Sequence, residues 1–355
     1  MSDRRKEAEK KMEKAIFISA DCWLCVFDFL TPSQLGLGIA LISHRFDFYV
    51  YEHFKTRKRT LKPIQIKRKI GENGTNQMEI VNSTHSKSLP IPQKPLPKKV
   101  VGFKTISFEY IDNNVIAFLH CFRPLLTICP IYLNINAHND RVMDFILHNI
   151  WPMLGKNLYG VGLPAKFFRR LRQFVPSLFT NLPLLRVAKF YLVNVFPKFP
   201  ADDSAAASDG QMVAKWIFTP LQNDVPKVLK CWLDIRDASW IEASKAAFAS
   251  ASSPVNFIVS VCFYPPFAAS VVPFVLTNEL TREQLTLKME NNIRYFLLIR
   301  CPIARDANKW TKWEEEASVW QNYRQWNLID ISICGEKDIG DGLLDATPGS
   351  SDQQK

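Results

Sequence analysis

No stretch of this sequence approaches the roughly 18 to 20 apolar residues that a membrane-spanning helix needs. A secretory signal is missing too: the N-terminus is charged as far as Lys14, and the apolar stretch after it is broken by Asp21 and Asp28. The expectation is therefore a cytoplasmic or nuclear chain. In that setting the sequons at Asn73 and Asn82 are pattern matches only. The eight cysteines, at positions 22, 25, 121, 129, 231, 262, 301 and 334, form no disulfide framework and sit mostly in apolar segments, as buried thiols do.

The motifs of catalysis are also absent. There is no Gly-x-Ser-x-Gly, no phosphate-binding Gly-Lys-Ser/Thr loop and no Gly-x-Gly-x-x-Gly. Gly36-Leu37-Gly38 and Gly160-Val161-Gly162 lack a third glycine. His44, His53, His85, His120, His138 and His148 form no zinc-type pair, and Cys22-x-x-Cys25 has no second pair to complete a metal site. The reading is a protein that is not an enzyme and needs no metal or cofactor.

What is present is a core. Hydrophobic residues make up 47% of the chain and charged residues 22%, the composition of a folded protein with one large domain and one small one. The net charge of +11 is concentrated. Lys55, Arg57, Lys58, Arg59, Lys62, Lys67, Arg68 and Lys69 have no acid between them. The run contains no stacking aromatic, so its nucleic-acid reading is limited to salt-dependent phosphate contact, against a solvated linker or a face for an acidic partner. Pro90, Pro92, Pro95 and Pro97 follow and favour an extended spacer. A strand within Leu61 to Ile70 is the one regular element expected here.

From Val101 onward, extended and helical segments alternate. The extended ones are Thr105–Ile111, Ile131–Ala137, Leu158–Leu163, Val187–Val193, Val228–Ile235, Phe257–Phe263, Tyr295–Cys301 and Leu328–Cys334, with a further pair at Phe274–Thr277 and Gln284–Met289. Several alternate with period two: Ile131, Leu133 and Ile135 share one face and Tyr132, Asn134 and Asn136 the other. Helical patterns lie between, clearest in Val142, Phe145, Ile146, Ile150 and Met153. Most spacings lie near those of a leucine-rich-repeat-like solenoid, although its asparagine ladder is missing; a plainer α/β sheet with helices on its faces is the alternative. Trp310, Trp313, Trp320, Trp326 and Tyr323 make either a core stripe closing the last repeat or an aromatic site.

Residues 15–54 differ from the rest. Trp23, Phe27, Phe29 and Leu30 crowd one short segment, more aromatic surface than so small a fragment covers by itself, which marks a protein contact. The stretch from Ile18 to Phe46 resembles an F-box. Ile18-Ser19 stands where that family has Leu-Pro, Asp21 takes the acidic position, and Cys22, Trp23, Val26, Phe27 and Leu30 cover the apolar helix. Pro32 breaks the run, Leu35 and Leu41 match the later anchors, and Arg45-Phe46 closes the pattern. Glu52-His53-Phe54-Lys55-Thr56-Arg57-Lys58, Asn149-Ile150-Trp151-Pro152, Ala251-Ser252-Ser253-Pro254-Val255-Asn256-Phe257 and Asp338-Ile339-Gly340-Asp341-Gly342-Leu343-Leu344-Asp345 are similar to members of a large nematode F-box family, so the likeness runs nearly end to end.

That resemblance implies a substrate receptor of a Skp–cullin–F-box ubiquitin ligase. It would bind the Skp-type adaptor through Ile18, Asp21, Cys22, Trp23, Val26, Phe27, Leu30, Pro32, Leu35, Leu41 and Phe46. The expected layout is an α+β or α/β chain: a charged tail at 1–14, a helical F-box at 15–54, a basic and proline-rich linker at 55–100, an irregular β-α solenoid at 101–334, and a flexible tail at 335–355. The target-facing residues are read as Tyr132, Asn134, Asn136, Tyr159, Lys189, Tyr191, Lys230, Trp232 and Asp234. The rival readings are a repeat-domain scaffold and a basic, nucleic-acid-associated protein.

Overall fold

The computed structural model describes residues 18–29, 39–56, 59–61, 63–68, 76–81, 86–89, 91, 100–154, 157–175, 178–179, 181–191, 195–221, 224–233, 239–263, 271–290, 295–320 and 327–345. They belong to two compact units, Met1–Arg59 and Thr60–Lys355.

The first unit is helical. Among the described residues its helices are α1 (Ala20–Phe27) and α2 (His44–Thr56), with a 3-10 turn at Ile39–Ile42 between them. Ser19 starts α1: its hydroxyl accepts the Cys22 N–H at 3.3 Å, which makes it the N-cap. Phe27 and Val50 are fully buried at the centre, with Trp23, Leu24, Ile39, Phe46 and Tyr49 around them. Trp23 and Phe46 meet edge to face at 4.8 Å, and Phe27 meets His53 likewise at 5.7 Å.

The second unit is mixed α/β. After β1 (Arg59–Leu61), its strands are β2 (Ile64–Arg68), β3 (Asn76–Val81), β4 (Ser86–Leu89), β5 (Val100–Phe103), β6 (Thr105–Phe108), β7 (Ile131–Ala137), β8 (Leu158–Pro164), β9 (Val187–Tyr191), β10 (Lys227–Leu233), β11 (Phe257–Phe263), β12 (Phe274–Asn278), β13 (Glu283–Met289), β14 (Tyr295–Pro302) and β15 (Leu328–Ile333). Thirteen of them make one sheet in the order β12-β13-β14-β11-β10-β9-β8-β7-β15-β6-β2-β3-β4. From β11 to β2 every neighbour is parallel, and antiparallel strands flank this block on both sides.

The helices between these strands are α3 (Asn113–Ile128), α4 (Asp140–Asn149), α5 (Trp151–Leu154), α6 (Ala165–Phe174), α7 (Asp209–Ile217) and α8 (Ser239–Ala249). From β7 to β11 the chain steps one strand at a time in a single direction. Right-handed crossovers stepping one way place their helices on one face. The main core fits that rule: Val115 and Phe118 of α3, Phe145 and Ile146 of α4, Phe167 and Leu171 of α6 and Trp216 of α7 pack on Leu133, Ile135, Val161, Phe190, Leu229 and Val259. The helix starts are written locally: Asp112, Asn139 and Ser208 each cap a first turn with the side-chain oxygen.

Two strands leave the stepwise order. β14 pairs antiparallel with β11, whereas stacked repeats would continue parallel. The chain then crosses the opposite face through α9 (Ala307–Ser318) and returns as β15, between β6 and β7. α9 buries Trp310 and Ala317 on Val228, Ile258, Leu297 and Ile299, a second and smaller core. Trp310 thus belongs to the core. Trp326 and Tyr323 lie outside the described residues.

Residues 55–100, expected as a linker, supply β2, β3 and β4. β2 pairs parallel with β6, and Ile64 and Ile66 are buried in the main core. The expected strand within Leu61–Ile70 is real, but its apolar residues complete the sheet rather than bridge to it. The expected flexible tail is likewise folded as far as Asp345. Ile339 bridges Ile111, Leu343 and Leu344 pack on the core, and Arg141 holds Glu336 at 2.7 Å and Asp345 at 3.0 Å. Residues 1–14 and 346–355 lie outside the described residues.

One buried ion pair anchors the antiparallel side. Arg300 of β14 and Glu283 of β13 are both 1% exposed and meet at 2.6 Å. Glu283 also accepts the Val255 N–H at 2.7 Å, and Arg300 donates to the Ser253 carbonyl at 2.9 Å. The Ser253-Pro254-Val255 motif is therefore the loop that satisfies this pair.

Candidate functional site

The sheet face carrying α9 is organised in rows that run across the strands. Strand register aligns Leu328 (β15), Tyr132 (β7), Gly160 (β8), Val187 (β9), Val228 (β10), Ile258 (β11) and Ile299 (β14). The side chains of this first row are apolar and lie in the second core with α9.

Two residues along each strand, the next row turns polar. It reads Gln65 (β2), Ser107 (β6), Asp330 (β15), Asn134 (β7), Gly162 (β8), Lys189 (β9), Lys230 (β10) and Ser260 (β11). Alternation puts all these side chains on one face. A further step brings Ser332 and Asn136 on one side, then Tyr191, Trp232, Cys262 and Tyr295.

The row is wired together. Tyr191 donates to Asn134 Oδ1 at 2.8 Å, and Asn134 Nδ2 donates to Asp330 Oδ1 at 2.6 Å. The first of these bonds passes over β8, and Gly162 makes the passage possible: a Cβ there would stand 2.5 Å from Asn134 Oδ1. At Gly160 a Cβ would stand 2.3 Å from the Tyr132 ring. The two glycines are sites of close approach on a strand, not a phosphate loop.

At the other end of the row, two lysines reach the end of α9. Lys230 Nζ donates to the carbonyls of Glu316 at 3.0 Å and Val319 at 2.6 Å, and Lys189 Nζ donates to the Trp320 carbonyl. Ammonium groups satisfy the last carbonyls of a helix and complement its dipole. Burial pushes both lysines down to about 8, with Lys189 adding repulsion at Lys230. Lys189 also lies 4.7 Å from the Tyr191 ring centroid and 5.6 Å from that of Trp320. Trp320 packs on Trp232 at 5.6 Å and donates to Ser260 at 3.0 Å.

The expected target-facing residues are thus gathered on one face but divided between roles. Asn134, Tyr191 and Trp232 are half-buried and Asn136 is exposed. Tyr132 is 2% exposed and belongs to the core under α9, while Lys189 and Lys230 are buried by the α9 terminus, so these three do not face solvent. Tyr159 is engaged with Arg186 and Glu316, its hydroxyl donating to Glu316 at 3.3 Å. Asp234 lies outside the described residues. Asp330, Ser332 and Ser107 were not among the expected site residues, and Trp320, read as either core or aromatic site, packs on this face. The alternation of Ile329, Ile331 and Ile333 with Asp330 and Ser332 was in view, but it does not say which strand lies beside Asn134.

In the first unit the expected adaptor residues also divide. Phe27 is buried, and Trp23 and Phe46 are half-buried against it. Ile18, Asp21, Cys22 and Val26 are exposed, as are Cys25 and Phe29. Cys22 and Val26 lie one turn apart on α1, Ile18 precedes its N-cap and Phe29 follows its C-cap, and all four are exposed, Phe29 by 89%. Phe29 was not among the expected adaptor residues, although its place beside Phe27 signals it. The backbone of Leu41 lies in the 3-10 turn, its side chain lies outside the described residues, and so do Leu30, Pro32 and Leu35.

Among the described residues, no group of three or more His, Cys, Asp or Glu side chains is placed to hold a metal ion, and no helix is long and apolar enough to cross a membrane. No family model matches the chain, and neither a curated protein nor a solved structure matches it.

Proposed function

We propose that this chain is a substrate receptor of a Skp–cullin–F-box ubiquitin ligase, holding a Skp-type adaptor with its N-terminal unit and a target protein with its α/β unit. The observation that carries the reading is the exposed apolar surface of Cys22 and Val26 on α1, with Ile18 just before its N-cap and Phe29 just after its C-cap, on a helix whose opposite face is already packed. Exposed aromatic and aliphatic surface of this kind is what protein partners bury. In this reading Asp21 flanks that surface, and Phe27, Trp23 and Phe46 hold the helix in place rather than touch the adaptor. The segment β7 to β11 with its helices acts as a run of repeat-like units, and its polar face receives the target. The receptor supplies proximity, and other subunits transfer ubiquitin. Its setting is the cytoplasm or nucleus.

The test is co-purification with a Skp-type adaptor, using Val26→Asp together with Phe29→Asp. Both positions are exposed, so the variant is expected to keep its helical circular dichroism while losing the adaptor. Retention of the adaptor by this variant, or no capture by the wild type, overturns the reading.

A further inference from the structure

An open cavity of about 720 Å³ lies beside α8, on the face of the sheet opposite α9. One wall is α8 and the turn that follows it, where Ala243, Ala246, Ala247 and Ser250 recur at three- and four-residue spacing. Side chains this small leave the space beside the helix open. A second wall is Phe199 with Phe218, whose rings meet edge to face at 5.1 Å. Phe199 is 40% exposed, so flat aromatic surface stands ready for whatever enters. A volume of this size with an apolar lining and a few placed polar groups is the make-up of a small-molecule site.

The placed polar group is Arg300, which lines the cavity with its side chain 1% exposed. Its Nε and Nη2 donate to Glu283 Oε2 at 3.1 and 2.6 Å, and Nη2 donates to the Ser253 carbonyl at 2.9 Å. Those bonds use three of the five guanidinium donors. Nη1 carries the other two and has no partner among the described residues. Phe218 and Phe248 lie against the guanidinium at 5.7 and 5.3 Å, so the edge left for the cavity is that of Nη1. A sheltered N–H without an acceptor costs stability, and an oxygen atom of a guest removes that cost.

Glu283 decides what kind of oxygen fits. It already balances the guanidinium, so a second carboxylate would leave the enclosed group with a net negative charge, which burial penalises. The cavity also meets the C-terminal end of α8, the negative end of its dipole, which disfavours an anion further. A carbonyl oxygen accepts from Nη1 and carries neither cost.

We infer that this cavity binds a neutral aromatic small molecule, its carbonyl oxygen set on Arg300 Nη1 and its rings held between α8 and Phe199 with Phe218. The inference goes beyond the receptor reading and does not depend on it.

The experiment uses the full chain and prodan, a neutral naphthyl ketone whose fluorescence moves to shorter wavelength when it leaves water. Two relatives isolate the head group by competition: the dimethylamino naphthoate carries a carboxylate, and dimethylnaphthylamine carries no acceptor. The wild type is expected to bind prodan saturably and each relative about tenfold more weakly, as a hydrogen bond to a charged donor implies. Ala246→Trp fills the cavity from an exposed helix position and is expected to abolish binding. Ala249→Trp, exposed on the same helix but outside the cavity lining, should leave the affinity unchanged, as should Val26→Asp with Phe29→Asp on α1. Urea midpoints are measured alongside. If Ala246→Trp unfolds early, Ala243→Trp, likewise exposed on the same wall, takes its place. Absence of saturable binding, binding that survives the filled cavity, binding lost with the Ala249 or α1 variant, or a relative that competes as well as the ketone overturns the proposal. Adaptor capture, measured separately, reports on the ligase reading and does not depend on these outcomes.

Discussion

The two units solve burial differently. The α/β unit covers one face of its sheet with helices and part of the other with α9, so single side chains such as Phe167 or Ile331 reach 0% exposure, and even Arg300 and Glu283 are enclosed. Among the described residues, the helical unit has two buried hydrophobic side chains, Phe27 and Val50, and leaves Ile18, Val26, Phe29, Ile42 and Phe48 exposed. Surface-to-volume scaling explains the contrast, because a segment of this size has too little interior for its apolar side chains. The lesson is that apolar residues mean core in one unit and contact surface in the other, and only the number of layers around them tells which.

The contrast is most exposed to test at the buried ion pair. Glu283→Leu strands the Arg300 guanidinium in the core and is expected to lower the stability of the α/β unit by about 3 to 5 kcal/mol in urea denaturation. Adaptor capture should persist, since the adaptor surface lies in the other unit. An unchanged urea midpoint would mean that the enclosed side is looser than its burial implies.

Next in size is Phe27→Ala, expected to cost the helical unit about 3 kcal/mol or more. Helical circular dichroism at 222 nm should fall and adaptor capture with it, while the α/β transition stays in place. Val26→Asp, one residue earlier, is expected to leave the helical signal alone. If the two substitutions behaved alike, the division of this helix into a packed and an open face would be wrong.

Gly162→Ala tests the close approach on β8. Its Cβ forces Asn134 and Tyr191 apart, for an expected loss of about 1 to 3 kcal/mol. Alanine at Gly335, where a Cβ meets nothing within 4 Å, serves as the control and should cost far less.

The smallest effect is a pH dependence. An unfolded lysine holds its proton to about pH 10.4, whereas Lys230 in the folded chain releases it near 8. Between those values the unfolded state binds more protons, so this group's contribution to stability rises with pH. The unfolding midpoint of the wild type minus that of Lys230→Met should therefore climb from pH 8 to pH 10. A flat difference would show that the ammonium is not buried under the α9 terminus.

Much of this fold was legible along the chain because strands and helices are written as local periods. The alternation in Ile131–Ala137 and Leu328–Ile333 places those strands to within a residue or two of where they lie. The capping oxygens of Asn139 and Ser208 mark real helix starts. The N-terminal helix was equally plain, but its two faces were not: Phe27 and Val26 read alike until the position of α2 separates them. The wired polar row on the α9 face was visible only in pieces. Asn134 and Tyr191 were picked out by alternation, while Asp330 was overlooked because its neighbour in space is 196 residues away in the chain.

By itself the sequence determined the mixed α/β class, the positions of the strands from Thr105 to Ile333, the helical N-terminal unit and the lack of any catalytic motif, since each is a matter of residue type and short-range spacing. The tertiary structure alone decided that β15 returns between β6 and β7, that Ile64–Arg68, Asn76–Val81 and Ser86–Leu89 join the sheet instead of bridging to it, and that α9 covers one end of the polar face and leaves Asp330 at the other. Those choices depend on which strand edges and apolar rows are still open when distant segments meet, and no local period records that.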